Sequence, residues 1–68
     1  MNVSAKKMDL MLQDRMVLEV IGSKCVGFCC YSTEVWELDD CSRYEVRIKN
    51  GYPRDVNRDG TYSVKKIK

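Results

Sequence analysis

The chain has 68 residues, a formal net charge of +2, four cysteines and no histidine. This length predicts one domain, residues 1–68, which on folding buries only about 60% of the surface of the unfolded chain. The apolar runs are shorter than a secretory signal (roughly 7–15 residues) or a membrane span (about 20 residues) requires. We therefore expect a cytoplasmic domain outside the membrane, with its thiols reduced.

The first predicted element is a short helix. Ser4 has the side chain of a helix N-cap, and the helical pattern continues to about Asp14. Met8, Met11 and Leu12 are spaced so that they share one helix face. Because so short a helix is only marginally stable alone in water, we expect this face to dock on the rest of the protein.

The middle of the chain is rich in β-branched and apolar residues. Met16 to Ile21 predicts a strand that ends at a hairpin tip, Gly22-Ser23, and the alternative is a helix that continues to Ile21. Lys24 to Tyr31 is apolar on both faces, which predicts a strand inside the fold. Val35 to Leu38 predicts a short strand or irregular edge, followed by a polar turn at residues 39–42.

Arg43 to Lys49 has the clearest strand pattern. Tyr44, Val46 and Ile48 alternate with charged residues, which predicts an inward and an outward face. Asn50-Gly51 is typical of a two-residue hairpin turn, and Pro53 just beyond it limits the returning strand to an edge.

The last third predicts a further turn and strand. The turn is Asn57 to Gly60, and Thr61 to Ile67 follows as a strand, with a bulge at Lys65-Lys66 that would return Ile67 to the core. Asp59 to Val64, after a basic strand, resembles the hairpins of SH3-like barrels such as Tudor domains. That resemblance covers a third of the chain and implies a partly closed barrel. The predicted fold class is α+β, with one short N-terminal helix packed on a small antiparallel sheet of four to five strands.

The four cysteines have the spacing C-x3-C-C-x10-C. If Cys25 and Cys29 belonged to one strand, they would lie roughly 13 Å apart, too far for one tetrahedral zinc with metal–sulfur bonds of about 2.3 Å. We therefore predict buried structural thiols and no metal site. The alternatives are zinc, should the strand be wrong, and a disulfide that joins Cys41 to a strand cysteine.

Residues Asp55 to Gly60 match the first half of an EF-hand-type loop, D-x-N-x-D-G, and resemble the calcium loops of dockerin modules. The second half departs from that pattern, because Lys66 stands where a bidentate glutamate is needed. Asn, Asp and Gly are also common in tight turns. The sequence therefore predicts an ordinary turn here, with no cofactor.

Catalysis is not expected. Without histidine the chain lacks the commonest general base and the usual partner of a cysteine nucleophile. Its four glycines are scattered singly and form no phosphate-binding loop. We therefore expect a non-enzymatic protein with no catalytic residues.

By elimination, the sequence predicts a small binding protein that docks on another protein and modulates or inhibits it, in the manner of phage or mobile-element accessory proteins. Trp36, set among acidic residues, is the predicted anchor, and its alternative role is a core residue. The Met/Leu helix face offers an alternative contact, with a second copy. The predicted binding residues are Trp36, Glu34, Glu37, Asp39, Arg43, Arg47, Lys49 and Tyr52.

The charge is unevenly distributed along the chain. Residues 1–42 hold four basic and seven acidic side chains, a balance of −3, and residues 43–68 hold eight basic and three acidic, a balance of +5. A basic face formed by Arg43, Arg47, Lys49 and Lys65 therefore suggests an alternative function, nucleic-acid binding by a small β-barrel. Its simpler interpretation is a solvated strand face.

Overall fold

The structure, a computed structural model, describes residues 1–68. It contains one helix and seven strands, most of them in a five-stranded antiparallel sheet, so the predicted α+β class is confirmed. In chain order the elements are β1 (Asn2–Val3), α1 (Ala5–Asp14), β2 (Met16–Val26), β3 (Cys29–Glu37), β4 (Arg43–Lys49), β5 (Tyr52–Pro53), β6 (Tyr62–Ser63) and β7 (Lys65–Lys66).

Helix α1 begins where the sequence predicts. Ser4 is extended and its hydroxyl accepts a hydrogen bond from the Lys7 amide at 3.0 Å, which satisfies one of the unpaired N–H groups of the first turn. Met8 and Met11 are both buried, so the predicted docking face is confirmed. The helix ends at Arg15, whose backbone is extended and leads into β2.

The main sheet runs in the order β2-β3-β4-β5, and β7 pairs with the start of β4 on the same side as β5. Strands β1 and β6 form a separate two-stranded sheet. Strand β2 pairs only with β3, so it forms one edge of the main sheet. The sheet does not close, and the implied SH3-like barrel is not formed.

The core lies between α1 and the face of the sheet formed by β4 and the end of β3. Trp36 is the largest of the fully buried side chains, and it packs with the two helix methionines. The nine buried apolar residues of the core are Val3, Met8, Met11, Trp36, Leu38, Tyr44, Val46, Ile48 and Val64.

The prediction for β4 is confirmed residue by residue. Tyr44, Val46 and Ile48 are buried and the alternating charged residues face outward. Asn50 and Gly51 both have positive φ, 51° and 83°, the conformation of the two-residue turn that their sequence predicts. The short β5 pairs with the end of β4, as expected for an edge that contains proline.

Two predictions for the middle of the chain are wrong. Met16–Ile21 is a strand, but it continues to Val26, and Gly22-Ser23 forms an irregularity within β2 in place of a hairpin tip. The chain reverses at Gly27-Phe28 instead. Lys24–Tyr31 is therefore an exposed hairpin end and not a strand inside the fold, because α1, the only helix, covers β4 and the end of β3.

The predicted polar turn at residues 39–42 is present. Asp40 accepts hydrogen bonds from the amide and the hydroxyl of Ser42, and Cys41 has a φ of 66°. The predicted turn at residues 57–60 is also present. Near the chain end, however, the expected return of Ile67 to the core is wrong, because its side chain is 44% exposed.

Candidate functional site

Strand β2 is the most exposed regular element of the protein. All eleven of its residues are exposed, although most are apolar. Single exposed apolar residues are normal on a protein surface, but β2 exposes six of them, distributed over both faces of the strand. They are Met16, Val17, Leu18, Val20, Ile21 and Val26. We call this strand, with its exposed apolar side chains and free backbone, the β2 edge.

The β2 edge also has unpaired backbone groups. A strand at the border of a sheet presents N–H and C=O groups that can pair with a further strand. Two irregularities, between Val17 and Glu19 and between Ile21 and Lys24, interrupt its pairing with β3. They leave three regularly paired stretches, 16–17, 19–21 and 24–26, and the two three-residue stretches are the places where another strand can add.

The tip of the β2–β3 hairpin is held at three points. Cys25 lies opposite Cys30 in the register, and the two form a disulfide. The Cys30 amide donates to Asn50 Oδ1 at 2.8 Å, and the Asn50 amide donates to the Cys30 carbonyl at 2.8 Å. Between the two cysteines, Gly27 has positive φ and Phe28 has a fully exposed ring. Phe28 is therefore a large apolar group on the surface of the hairpin tip.

The predictions for the cysteines are wrong in most respects. Cys25, Cys30 and Cys41 are exposed and Cys29 is half-buried, so none is a buried core thiol. The 13 Å separation assumed for one strand does not apply, because the chain reverses at Gly27. A disulfide does form, but it joins Cys25 to Cys30 and leaves Cys41 free.

Trp36 is a core residue, which is the alternative that its sequence left open. Its ring is fully buried, and Nε1 donates to Glu34 Oε1 at 2.8 Å. The guanidinium of Arg15 lies 4.8 Å from the ring centroid and 3.7 Å from the same carboxylate oxygen. Arg15 and Glu34 therefore complete the cover of the tryptophan, so Trp36 is not available as a surface anchor.

The basic face of β4 is largely neutralised by its neighbours. Arg43 Nε donates to Glu37 Oε2 at 2.9 Å. Arg47 makes two hydrogen bonds to Asp55, at 2.7 and 2.9 Å, and these bonds with the carboxylate charge raise the pKa of Arg47. A guanidinium engaged in this bidentate way is less free to bind phosphate.

Lys49 and Tyr52 are the two predicted binding residues that come together without an acidic partner. They are opposite each other in the β4–β5 register. The ring of Tyr31 lies 5.9 Å from the Lys49 ammonium and 5.3 Å from the Arg54 guanidinium. Of the other predicted residues, Asp39 is exposed in the turn after β3, apart from this cluster.

In the acidic turn of residues 55–60, both carboxylates accept hydrogen bonds from other groups of the protein. Asp55 binds Arg47, and Asp59 accepts hydrogen bonds from the amide and the hydroxyl of Thr61, at 3.0 and 2.6 Å. These bonds from Thr61 lower the pKa of Asp59. The structure contains no group of three or more metal-ligating side chains.

One open cavity of about 250 Å³ lies beside the outward face of β4. The Arg47–Asp55 ion pair forms part of its wall. Lys65 lies opposite Glu45 in the strand register, so the other charges of this wall are also of opposite sign. The residues that line it are Glu45, Arg47, Asp55, Ser63, Val64 and Lys65.

Comparisons with protein-family models, with curated proteins and with solved structures find no match to this chain. No helix of the protein is long and apolar enough to cross a membrane.

The sequence does not reveal the β2 edge or the hairpin tip. The apolar pattern of Lys24 to Tyr31 predicts an interior strand, whereas this segment contains the end of β2 and the exposed tip. One feature could have located the tip. The pattern C-x4-C with a central glycine, Cys25 to Cys30 around Gly27, is compatible with two cysteines placed opposite each other across a hairpin.

Proposed function

We propose that this protein is a small non-enzymatic binding protein that docks on another protein through the β2 edge and modulates or inhibits that partner. The observation that carries the proposal is the eleven-residue exposed strand, with six apolar side chains along an open backbone edge. Addition of a partner strand to such an edge is a known mode of recognition, in which main-chain hydrogen bonds give affinity and side-chain pockets give specificity.

The hairpin tip supports the same function. The disulfide and the two hydrogen bonds to Asn50 constrain the backbone near Phe28 before a partner arrives. Order that exists before binding lowers the entropic cost of association. Occupation of a partner surface by this hairpin is the proposed means of inhibition. The proposed setting is the cytoplasm, where thiols are kept reduced, so there the two hydrogen bonds to Asn50 would hold the tip without the disulfide.

The experiment is affinity capture from the source cells, with nuclease-treated and untreated samples. We expect one stoichiometric protein, retained after nuclease treatment and lost with Val20→Glu. An unpaired charge buried in an apolar interface costs several kcal/mol. The matched control is Lys49→Glu, an exposed change on β4 that should leave capture intact. Capture that is equal with Val20→Glu and the unaltered protein would overturn the proposal.

A second candidate function is nucleic-acid binding, and one observation favours it. Lys49 and Arg54 flank the ring of Tyr31, and the exposed Tyr52 lies beside Lys49. Cations with aromatic rings bind single strands through phosphate contacts and base stacking. Against it, Arg43 and Arg47 are paired with carboxylates. Retention on single-stranded DNA or RNA that falls steeply with salt and disappears with Lys49→Glu would favour this candidate.

A further inference from the structure

We infer that the β2 edge pairs with the β2 edge of a second copy of this chain, antiparallel, about a two-fold axis at Gly22-Ser23. The inference goes beyond the proposed function, because it names a second copy of this chain as an occupant of the same edge. A two-fold interface uses one patch on both copies, so the patch must be complementary to itself. Three features of β2 meet that requirement.

The first feature is the spacing of the two regular stretches. Residues 19–21 and 24–26 have equal lengths and lie on either side of Gly22-Ser23. Antiparallel docking about that point aligns 19–21 of one copy with 26–24 of the other. Each stretch then has a partner of matching length, and the Gly22-Ser23 irregularities of the two copies meet at the axis, where neither obstructs a ladder.

The second feature is the agreement of the sheet faces. Glu19, Ile21, Lys24 and Val26 lie opposite odd-numbered residues of β3 and share one face, whereas Val20 and Cys25 lie opposite even-numbered ones and share the other. The alignment puts Glu19 opposite Val26, Val20 opposite Cys25 and Ile21 opposite Lys24. Every pair therefore lies on a single face, as an antiparallel ladder requires.

The third feature is charge. Glu19 and Lys24 are the only charged residues of β2, they have opposite signs, and they share a face. In the aligned pair, Lys24 of one copy lies diagonal to Glu19 of the other, within reach of long side chains. The two-fold axis repeats this contact. A parallel arrangement in the same register would instead put like charges opposite each other, which is unfavourable.

The same symmetry gives the exposed hairpin tip a neighbour. Phe28 lies five residues beyond Ser23, and Val17 lies five residues before Gly22. The spacing therefore brings each tip, which lies in the turn just beyond β2, near the start of β2 in the other copy, on the far side of the irregularity between Val17 and Glu19. Phe28 is fully exposed and Val17 is half-exposed in the single chain, so the contact removes apolar surface from water at both ends of the paired strands.

The experiment measures mass in solution against concentration, by sedimentation equilibrium or light scattering. We expect a monomer–dimer equilibrium for the unaltered protein. Glu19→Lys and Lys24→Glu should each weaken the dimer roughly tenfold, because each replaces two attractive contacts by two repulsive ones. The double variant Glu19→Lys/Lys24→Glu should restore the dimer to within about twofold. Lys6→Glu is the control, an exposed charge reversal on α1 that should leave the equilibrium unchanged.

Two results would overturn the inference. One is a mass that stays monomeric at every concentration, and the other is a double variant no tighter than either single variant. Circular dichroism establishes that each variant is folded, and both positions are exposed. A monomer that still captures a partner through Val20 overturns the dimer and leaves the proposed function standing. A dimer that captures no partner supports the inference and overturns the proposed function.

Discussion

Strands β2 and β4 lie on either side of β3 in one sheet, and both carry β-branched apolar residues, yet their surroundings are opposite. On β4 the apolar residues alternate with charged ones and are buried under α1 and Trp36. On β2 the apolar residues lie on both faces and at the irregularities, and all are exposed. The comparison teaches that one ten-residue helix can cover only part of this sheet, so the uncovered strand is the part available for binding.

The largest difference in stability is expected between substitutions of the fully buried Trp36 and the fully exposed Phe28. Trp36→Ala empties the centre of the core and should reduce the free energy of unfolding by about 3–5 kcal/mol, enough to unfold much of a marginal domain. Phe28→Ala should change it by less than about 0.5 kcal/mol, because the ring makes no buried contact. Urea unfolding followed by circular dichroism, at a dilution where the protein is monomeric, measures both. Equal losses would show that the hairpin tip is part of the core.

A matched pair of isoleucines tests the same comparison on the two strands. Ile48 is 2% exposed on β4 and Ile21 is 44% exposed on β2. Ile48→Ala should cost about 2–5 kcal/mol, because it removes buried methyl groups and leaves a cavity. Ile21→Ala should cost well under half as much in the same dilute urea titration. A larger loss at Ile21 would contradict the placement of β2 outside the core.

Reduction of the disulfide should make the amide hydrogen-exchange rates of the hairpin tip and of buried β4 differ more. Cys25–Cys30 closes a short loop at the hairpin tip, and Cys30 lies two residues along β3 from the position opposite Ile48 and four from the position opposite Val46. After reduction, amide hydrogen exchange should accelerate more for residues 24–31 than for Val46 and Ile48, because exposed elements open locally at lower free energy. An equal acceleration in both regions would mean that hairpin and core open as one unit.

The smallest expected effect is a pH dependence of stability that arises from two turns, those of Asp40 and Asp59. Hydrogen bonds from Ser42 and Thr61 lower the pKa values of Asp40 and Asp59. A lowered pKa in the folded state means stability that is present above the unfolded value, about 3.9, and is lost as the pH falls through the folded value. Asp59→Asn should therefore flatten the acid side of the stability profile. An unchanged profile would show that the Thr61 bonds do not favour the charged form.

The sequence predicts helix α1, strand β4 and the turn after β4 well, because their signals are local. Three features depend on local chemistry alone. They are the period-two alternation over 43–49, the Asn50-Gly51 turn, which tolerates positive φ, and the Ser4 cap. The hairpin is predicted poorly because its features are not local. An apolar segment predicts burial only if something covers it, and Gly22 has the positive φ of a turn while lying inside a strand.

The candidate site was predicted even less well. Of the expected binding residues, Trp36 and Glu34 serve the core, and Arg43 and Arg47 hold ion pairs. Their types suit an interface, but whether a tryptophan or an arginine is free depends on neighbours that only the tertiary structure defines. The residues of the β2 edge carry no chemical motif, and their exposure alone distinguishes them.

The burial of Trp36 has a consequence for spectroscopy. It is the only tryptophan of the chain, and its indole is shielded from water by Met8, Met11 and Arg15. Its emission should therefore lie at short wavelength in the native protein and move to longer wavelength when the core opens. A ligand on the β2 edge lies on the far side of Val17, the residue opposite Trp36, so the same emission should change less on binding than on unfolding. The protein thus contains an intrinsic optical reporter of folding.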